Sequence, residues 1–135
     1  MFSKSTRILV VDDMKTMRRI IKNTLTGLGM TEIMEAEDGS EAWDKIEGVL
    51  KEQNPFKLII SDWTMPKVTG LELLKKVRAH HIMGKVPFLL VTAEAEVEQV
   101  KEAIAAGVSG YITKPFPPTS LVEKLEAIAT KYAMK

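Results

Sequence analysis

Five side chains able to do chemistry stand at the ends of apolar runs. Asp12 and Asp13 close Ile8-Leu9-Val10-Val11, Asp62 closes Leu58-Ile59-Ile60-Ser61, Thr92 closes the run from Val86 to Val91, and Lys114 follows Gly110-Tyr111-Ile112-Thr113. An apolar run of this length suits a strand buried on both faces, and a bare carboxylate at its end calls for a reason. One reason is local, since an Asp there can cap the next loop or helix. The recurrence of polar groups at several run ends points instead to one site assembled from distant parts of the chain. Carboxylates within a few ångströms of one another repel by roughly 1 to 4 kcal/mol per pair, so a cation must balance them. Oxygen donors without His or Cys suit Mg²⁺, which keeps several waters and meets phosphate oxygens. A carboxylate beside such an ion, a lysine and a hydroxyl is arranged for phosphoryl transfer, with Asp62 as the in-line nucleophile and an aspartyl phosphate as product. No residue stands out as a dedicated base for rapid turnover, so the phosphoryl group is expected to persist as a signal.

The segments between the runs read as helices. From Lys15 a stripe of Met17, Ile20, Ile21, Thr24, Leu25 and Leu28 ends at Gly29, while Lys15, Arg18, Arg19 and Lys22 make the outer face basic. Met14 and Met17 read as lining or core residues. Glu32 to Ala36 is a weaker strand interrupted by charge, and Asp38 to Glu41 has capping-box spacing before a helix burying Ala42, Ile46, Val49 and Leu50. Thr69 to Glu72 repeats that spacing before Leu71, Leu74 and Val77. The apolar stripe of Val97, Val100 and Ile104 gives a fourth helix, which Gly107 closes; Pro117-Pro118 opens the last, where Leu121, Leu125, Ile128 and Tyr132 pack inward. Five strand and helix pairs make a single (βα)5 domain of the α/β class. Runs one, three and four are almost wholly apolar and belong inside a parallel sheet, whereas two and five carry polar residues as edges do. With right-handed crossovers this favours a doubly wound sheet of order 2-1-3-4-5, the flavodoxin-like order, whose ligand crevice opens where strands one and three part. Asp12, Asp13 and Asp62 meet there.

Composition narrows the function further. The 135 residues are 45% hydrophobic and 27% charged, with net charge +1, so neither a membrane span nor an electrostatic footprint for nucleic acid is expected. Cysteine is absent, which removes disulfides, zinc thiolates and thiol catalysis and agrees with a cytoplasmic setting. The adjacent His80 and His81 read as surface residues. The expectation is one domain over 1–135, with 1–6 as a short N-terminal extension and no effector domain.

Val11-Asp12-Asp13, Asp62-Trp63-Thr64-Met65-Pro66, Thr92-Ala93-Glu94-Ala95, Gly107-Val108-Ser109-Gly110-Tyr111 and Lys114-Pro115-Phe116, in this order and at strand ends, resemble response-regulator receiver domains nearly end to end. Within that family the chain is similar to the CheY-like chemotaxis regulators. The resemblance implies that Asp62 takes phosphate from a histidine kinase of the CheA type. It implies that Asp12, Asp13, Asp62 and the backbone carbonyl of Thr64 bind Mg²⁺, and that Lys114 pairs with the phosphoryl oxygens. Thr92 and Tyr111 would be the switch residues that alter the surface of the fourth helix, fifth strand and fifth helix. Met14, Thr64 and Glu94 occupy positions that tune phosphate lifetime, and Lys114-Pro115 is a candidate cis peptide. The chain departs from the chemotaxis pattern at Thr64, where asparagine is common, and at Glu96-Val97, where lysines are common.

The function implied is that of a monomeric, diffusible switch that binds the flagellar motor switch protein FliM when phosphorylated, with a phosphatase left open as a further partner. It is a phosphoacceptor and not an enzyme beyond its own phosphorylation and slow dephosphorylation. The alternative is a phosphate carrier or sink between kinases and other regulators. A phosphohydrolase is disfavoured because Asp62-Trp63-Thr64 lacks a second Asp, and flavin mononucleotide because three acids would repel its phosphate.

Overall fold

A computed structural model describes residues 2–65, 67–93 and 97–133. Pro66, Glu94, Ala95, Glu96 and the side chain of Val97, all invoked above, lie outside the described residues. The order is β1 (Ile8–Val11), α1 (Lys15–Gly27), β2 (Ile33–Ala36), α2 (Gly39–Lys51), β3 (Leu58–Asp62), α3 (Gly70–Ala79), β4 (Phe88–Thr92), α4 (Val97–Ala105), β5 (Gly110–Thr113) and α5 (Pro118–Ala133). All strand pairs are parallel and the sheet order is β2-β1-β3-β4-β5, as the apolar runs imply.

Side-chain alternation along the strands splits the core into two layers. Ile8, Val10, Leu58, Ile60, Leu89, Val91 and Ile112 face α1 and α5, where Ile21, Leu25, Leu121, Leu125 and Ile128 meet them. Leu9, Val11, Ile59, Phe88 and Leu90 face the other way, against Ala42, Ile46, Val49, Leu74, Val77 and Ala103 of α2, α3 and α4. The central strands are buried along their whole length, while β2 is half-buried. That difference is why the three richest apolar runs occupy the middle positions.

Helix starts follow the capping signals. Asp38 accepts the Glu41 backbone N–H at the start of α2. At α3 the box is reciprocal, with Thr69 Oγ1 accepting from Glu72 N–H and Glu72 Oε1 accepting from Thr69 N–H. At the far end of α3, His80 is half-buried and its Nδ1 accepts from the Ile82 and Met83 amides, so it shapes a turn where a surface role was expected.

Three helix-face expectations need correction. Ile20 is 41% exposed and Ile104 63% exposed, not inward. On α4 the buried contact comes from Ala103, one position earlier, because the helix packs its small residue closest to the sheet. Arg18, expected on the basic outer face of α1, is buried. Its Nη1 donates to the Asp12 carbonyl at 2.6 Å and its Nε to Glu35 Oε1 at 3.1 Å, so the guanidinium finds acceptors that make burial tolerable.

Candidate functional site: an acidic pocket facing a lysine

The two central strands β1 and β3 run in register, with Val11 opposite Ser61, so their next residues emerge side by side at the C-terminal edge of the sheet. Asp12, Asp13 and Asp62 each bring a carboxylate oxygen there, all within 4.8 Å of one another. Asp12 and Asp62 are buried and Asp13 is exposed. From β5, the Lys114 Nζ reaches Asp12 Oδ2 at 3.1 Å and Asp62 Oδ2 at 3.3 Å. The Lys114 backbone N–H donates to the Thr92 carbonyl at 2.7 Å, which fixes the start of the β5–α5 connection against the end of β4. The Lys114–Pro115 peptide that follows is cis, matching the candidate position.

The backbone around Asp62 has little freedom. The Gly70 N–H donates to the Trp63 carbonyl at 2.8 Å, and a Cβ on Gly70 would lie 2.1 Å from the Asp62 carbonyl oxygen. Only glycine lets α3 begin this close to the end of β3. On the β1 side, Asp12 Oδ1 accepts the Met14 N–H at 2.9 Å, and Arg18 holds the Asp12 carbonyl from behind.

Electrostatics follow from this crowding. Burial pushes the Asp12 carboxyl above its ordinary value, against the pull of the Met14 amide and Lys114. Asp62 is raised first by burial and then by the neighbouring Asp12 charge, with Lys114 opposing. One ammonium facing three carboxylates leaves the pocket short of positive charge. An all-oxygen donor set in that condition fits a hard divalent cation.

The other expected site residues fall as follows. Thr92 is buried at the end of β4, opposite Thr113 in the register. Tyr111 is half-buried on β5, with Lys124 Nζ 5.5 Å from its ring centre. Thr64 is exposed two residues beyond Asp62, and Trp63 is half-buried against the core beside the acids. Met14 is 57% exposed, which corrects its reading as a core residue; as the residue before α1 it donates its backbone N–H to Asp12 Oδ1. Glu94 lies outside the described residues. Sequence reasoning missed Arg18 as a support of Asp12. The available signal was Glu35, an acid inside a strand, which pairs with both Arg18 and Lys22.

Residues 8–126 match the response regulator receiver domain family, and the chain belongs to it: it is a CheY-type receiver, a phosphoacceptor signalling protein rather than a catalytic enzyme. Within the family it is a homologue of the chemotaxis regulator CheY. It is 51% identical over 122 residues to a chemotaxis protein CheY homolog of Campylobacter jejuni, covering 90% of this chain and 91% of that one. It is 48% identical over 122 residues to the chemotaxis protein CheY1 of Helicobacter pylori, covering 90% and 95%. Among solved structures, the chemotaxis response regulator CheY4 of Vibrio cholerae superposes with a TM-score of 0.81 at 35% identity, covering 92% of this chain and 98% of that one. Among the described residues no helix is long and apolar enough to cross a membrane.

Proposed function

We propose that Asp62 accepts a phosphoryl group from a histidine kinase of the CheA type, and that the phosphorylated protein binds the flagellar motor switch protein FliM to control rotation in chemotaxis. The observation that carries this reading is the Asp62 carboxylate, held between two further acids and 3.3 Å from the Lys114 ammonium. The 51% identity to a chemotaxis relative supports the choice of pathway.

Asp12, Asp13 and Asp62, with the backbone carbonyl of Thr64, are the groups that would hold Mg²⁺. When bound, the ion supplies the positive charge that the three acids lack and that incoming phosphoryl oxygens need. The chain's own residues do the rest. An Asp62 carboxylate oxygen attacks phosphorus, the bond from phosphorus to the donor imidazole breaks, and the imidazole leaves with the electron pair. Lys114 turns from the carboxylates to a phosphoryl oxygen as that charge arrives. The Thr92 hydroxyl meets another phosphoryl oxygen, and Tyr111 turns inward, favouring a conformation already present in the ensemble. Met14 and Thr64 flank the site, and by the family resemblance these two together with Glu94 set how long the phosphate lasts. The setting is the cytoplasm.

The test is binding of a fluorescent N-terminal FliM peptide with and without beryllofluoride and Mg²⁺, using Asp62→Asn as the control. The expected result is tighter binding with beryllofluoride in the wild type alone. Equal affinity in all conditions rules out the motor reading; return of phosphate to the kinase without peptide binding selects the carrier role instead.

A further inference from the structure

In a parallel sheet every strand starts at one end of the molecule, and that end here is opposite the acidic pocket. Two adjoining grooves open on it. One runs along the start of β4 and includes Lys57, Ile82 and Lys85; the other lies between α3, α4 and α5 and includes Arg78, Lys85, Ile104 and Lys131. Lys85 is their common wall. Among the described residues that line the two grooves, these four cations meet no carboxylate, in a chain whose net charge is only +1.

The roles of the cations divide. Arg78 is fixed as part of the floor, donating to the carbonyls of Gly107 at 2.8 Å and Val86 at 2.7 Å and to Ser109 Oγ at 3.3 Å. Ser109 Oγ also accepts the Phe88 N–H and bonds the Tyr132 hydroxyl, so the floor is a connected polar network tying α3, β4 and α5 together. Lys57, Lys85 and Lys131 are exposed and enter no ion pair among the described residues. Ile82 at 58% and Ile104 at 63% are the two most exposed large apolar side chains among the described residues, and each borders one groove. Isolated exposed apolar residues are ordinary, but two of them on adjoining concave surfaces, rimmed by unpaired cations over a rigid floor, are not.

We propose that this end of the molecule is a second docking surface, which takes an acidic peptide segment of a partner protein carrying aliphatic anchors. The anchors would cover Ile82 and Ile104 and the carboxylates would face Lys57, Lys85 and Lys131, with the Arg78 network holding the floor in place. Charge complementarity selects an acidic partner, and the paired grooves select a peptide over a flat surface. The surface shares no residue with the Asp62 site, although Ile104 and Lys131 belong to α4 and α5, two of the elements expected to form the switch surface.

The test uses the full chain and three fluorescein-labelled peptides, in which aspartate alternates with leucine, aspartate with serine, or lysine with leucine. The aspartate and leucine peptide is expected to bind best, to shift backbone amide resonances at residues 82–85 and 104–108, and to weaken steeply between about 0.1 M and about 1 M salt, where screening shortens from about 10 Å to about 3 Å. Lys85→Glu combined with Lys131→Glu should weaken it at least about tenfold, and Ile82→Ser combined with Ile104→Ser should do so with less change in salt dependence. Both variants should keep the wild-type response to Mg²⁺ and beryllofluoride, which shows that the fold and the Asp62 site are intact. Absence of binding, binding unaffected by both variants, or resonance shifts confined to Tyr111 and Phe116 would overturn the proposal. Binding to phosphatidylglycerol vesicles in place of the peptides would overturn it in favour of a membrane surface.

Discussion

Neutralising Asp62, the proposed phosphoacceptor, should make the metal-free protein more stable, although it removes an ion pair. In Asp62→Asn the lost attraction to Lys114 at 3.3 Å is worth about 5 kcal/mol at an effective dielectric near 20. Repulsion from Asp12 at no more than 4.8 Å returns about 3.5 kcal/mol, and from exposed, well-screened Asp13 about 1 kcal/mol. These pair energies nearly cancel. The deciding effect is burial, the largest cause of the raised Asp62 carboxyl, since desolvating a carboxylate costs several kcal/mol. A net gain of about 1 to 3 kcal/mol follows, or a rise in Tm of roughly 4 to 12 °C for a chain of this size. The pH dependence has a definite sign. A carboxyl whose folded value is raised stabilises the fold below its ordinary value of 3.8 and loses that contribution as pH rises through the folded value. The advantage of Asp62→Asn should therefore be near zero around pH 4 and grow toward neutrality. Thermal melts of both proteins in EDTA across that range read it directly, and added Mg²⁺ should raise the wild type more than the variant. A variant that melts at or below wild type at pH 7 in EDTA, or keeps its full advantage at pH 4, refutes the reasoning.

Removing the cation instead should separate metal binding from phosphoryl acceptance: Lys114→Ala leaves the carboxylates at 3.1 and 3.3 Å unopposed, so Mg²⁺ affinity read by Trp63 fluorescence should tighten about tenfold while phosphotransfer to Asp62 slows. Arg18→Met strands the Asp12 carbonyl and leaves Glu35 with Lys22 alone, and urea unfolding should show a loss of about 2 to 4 kcal/mol, together with weaker Mg²⁺ binding because Asp12 is no longer held from behind. Gly70→Ala sets a methyl 2.1 Å from the Asp62 carbonyl oxygen, and a loss of about 2 kcal/mol or more is expected by the same measurement.

Strand order and site were legible in the chain because both follow from where charge interrupts apolar runs. Asp12 and Asp62 can be paired from the sequence, since the most apolar runs have to be sheet neighbours and their ends have to coincide. Helix faces were less legible. A period of 3.6 residues allows stripes offset by one position, and on α1 and α4 the buried stripe passes through Arg18 and Ala103 instead of Ile20 and Ile104. Hydrophobicity alone could not say so: the guanidinium is buried because of acceptors brought by β1 and β2, and the alanine because of its size. The Arg78 network was also invisible, since its acceptors are mainly backbone carbonyls that carry no sequence signature.

Lys114 reaches Asp12 from the outermost strand, so a single ammonium group ties β5 to β1 across the two strands between them. The strands at its two ends are held differently. β1 is gripped from both sides by β2 and β3, whereas β5 is gripped by β4 alone, and its other margin is open. A change in the pull on the ammonium therefore bears on a strand with a single neighbour, the strand that carries Tyr111, and couples the middle of the sheet to its rim.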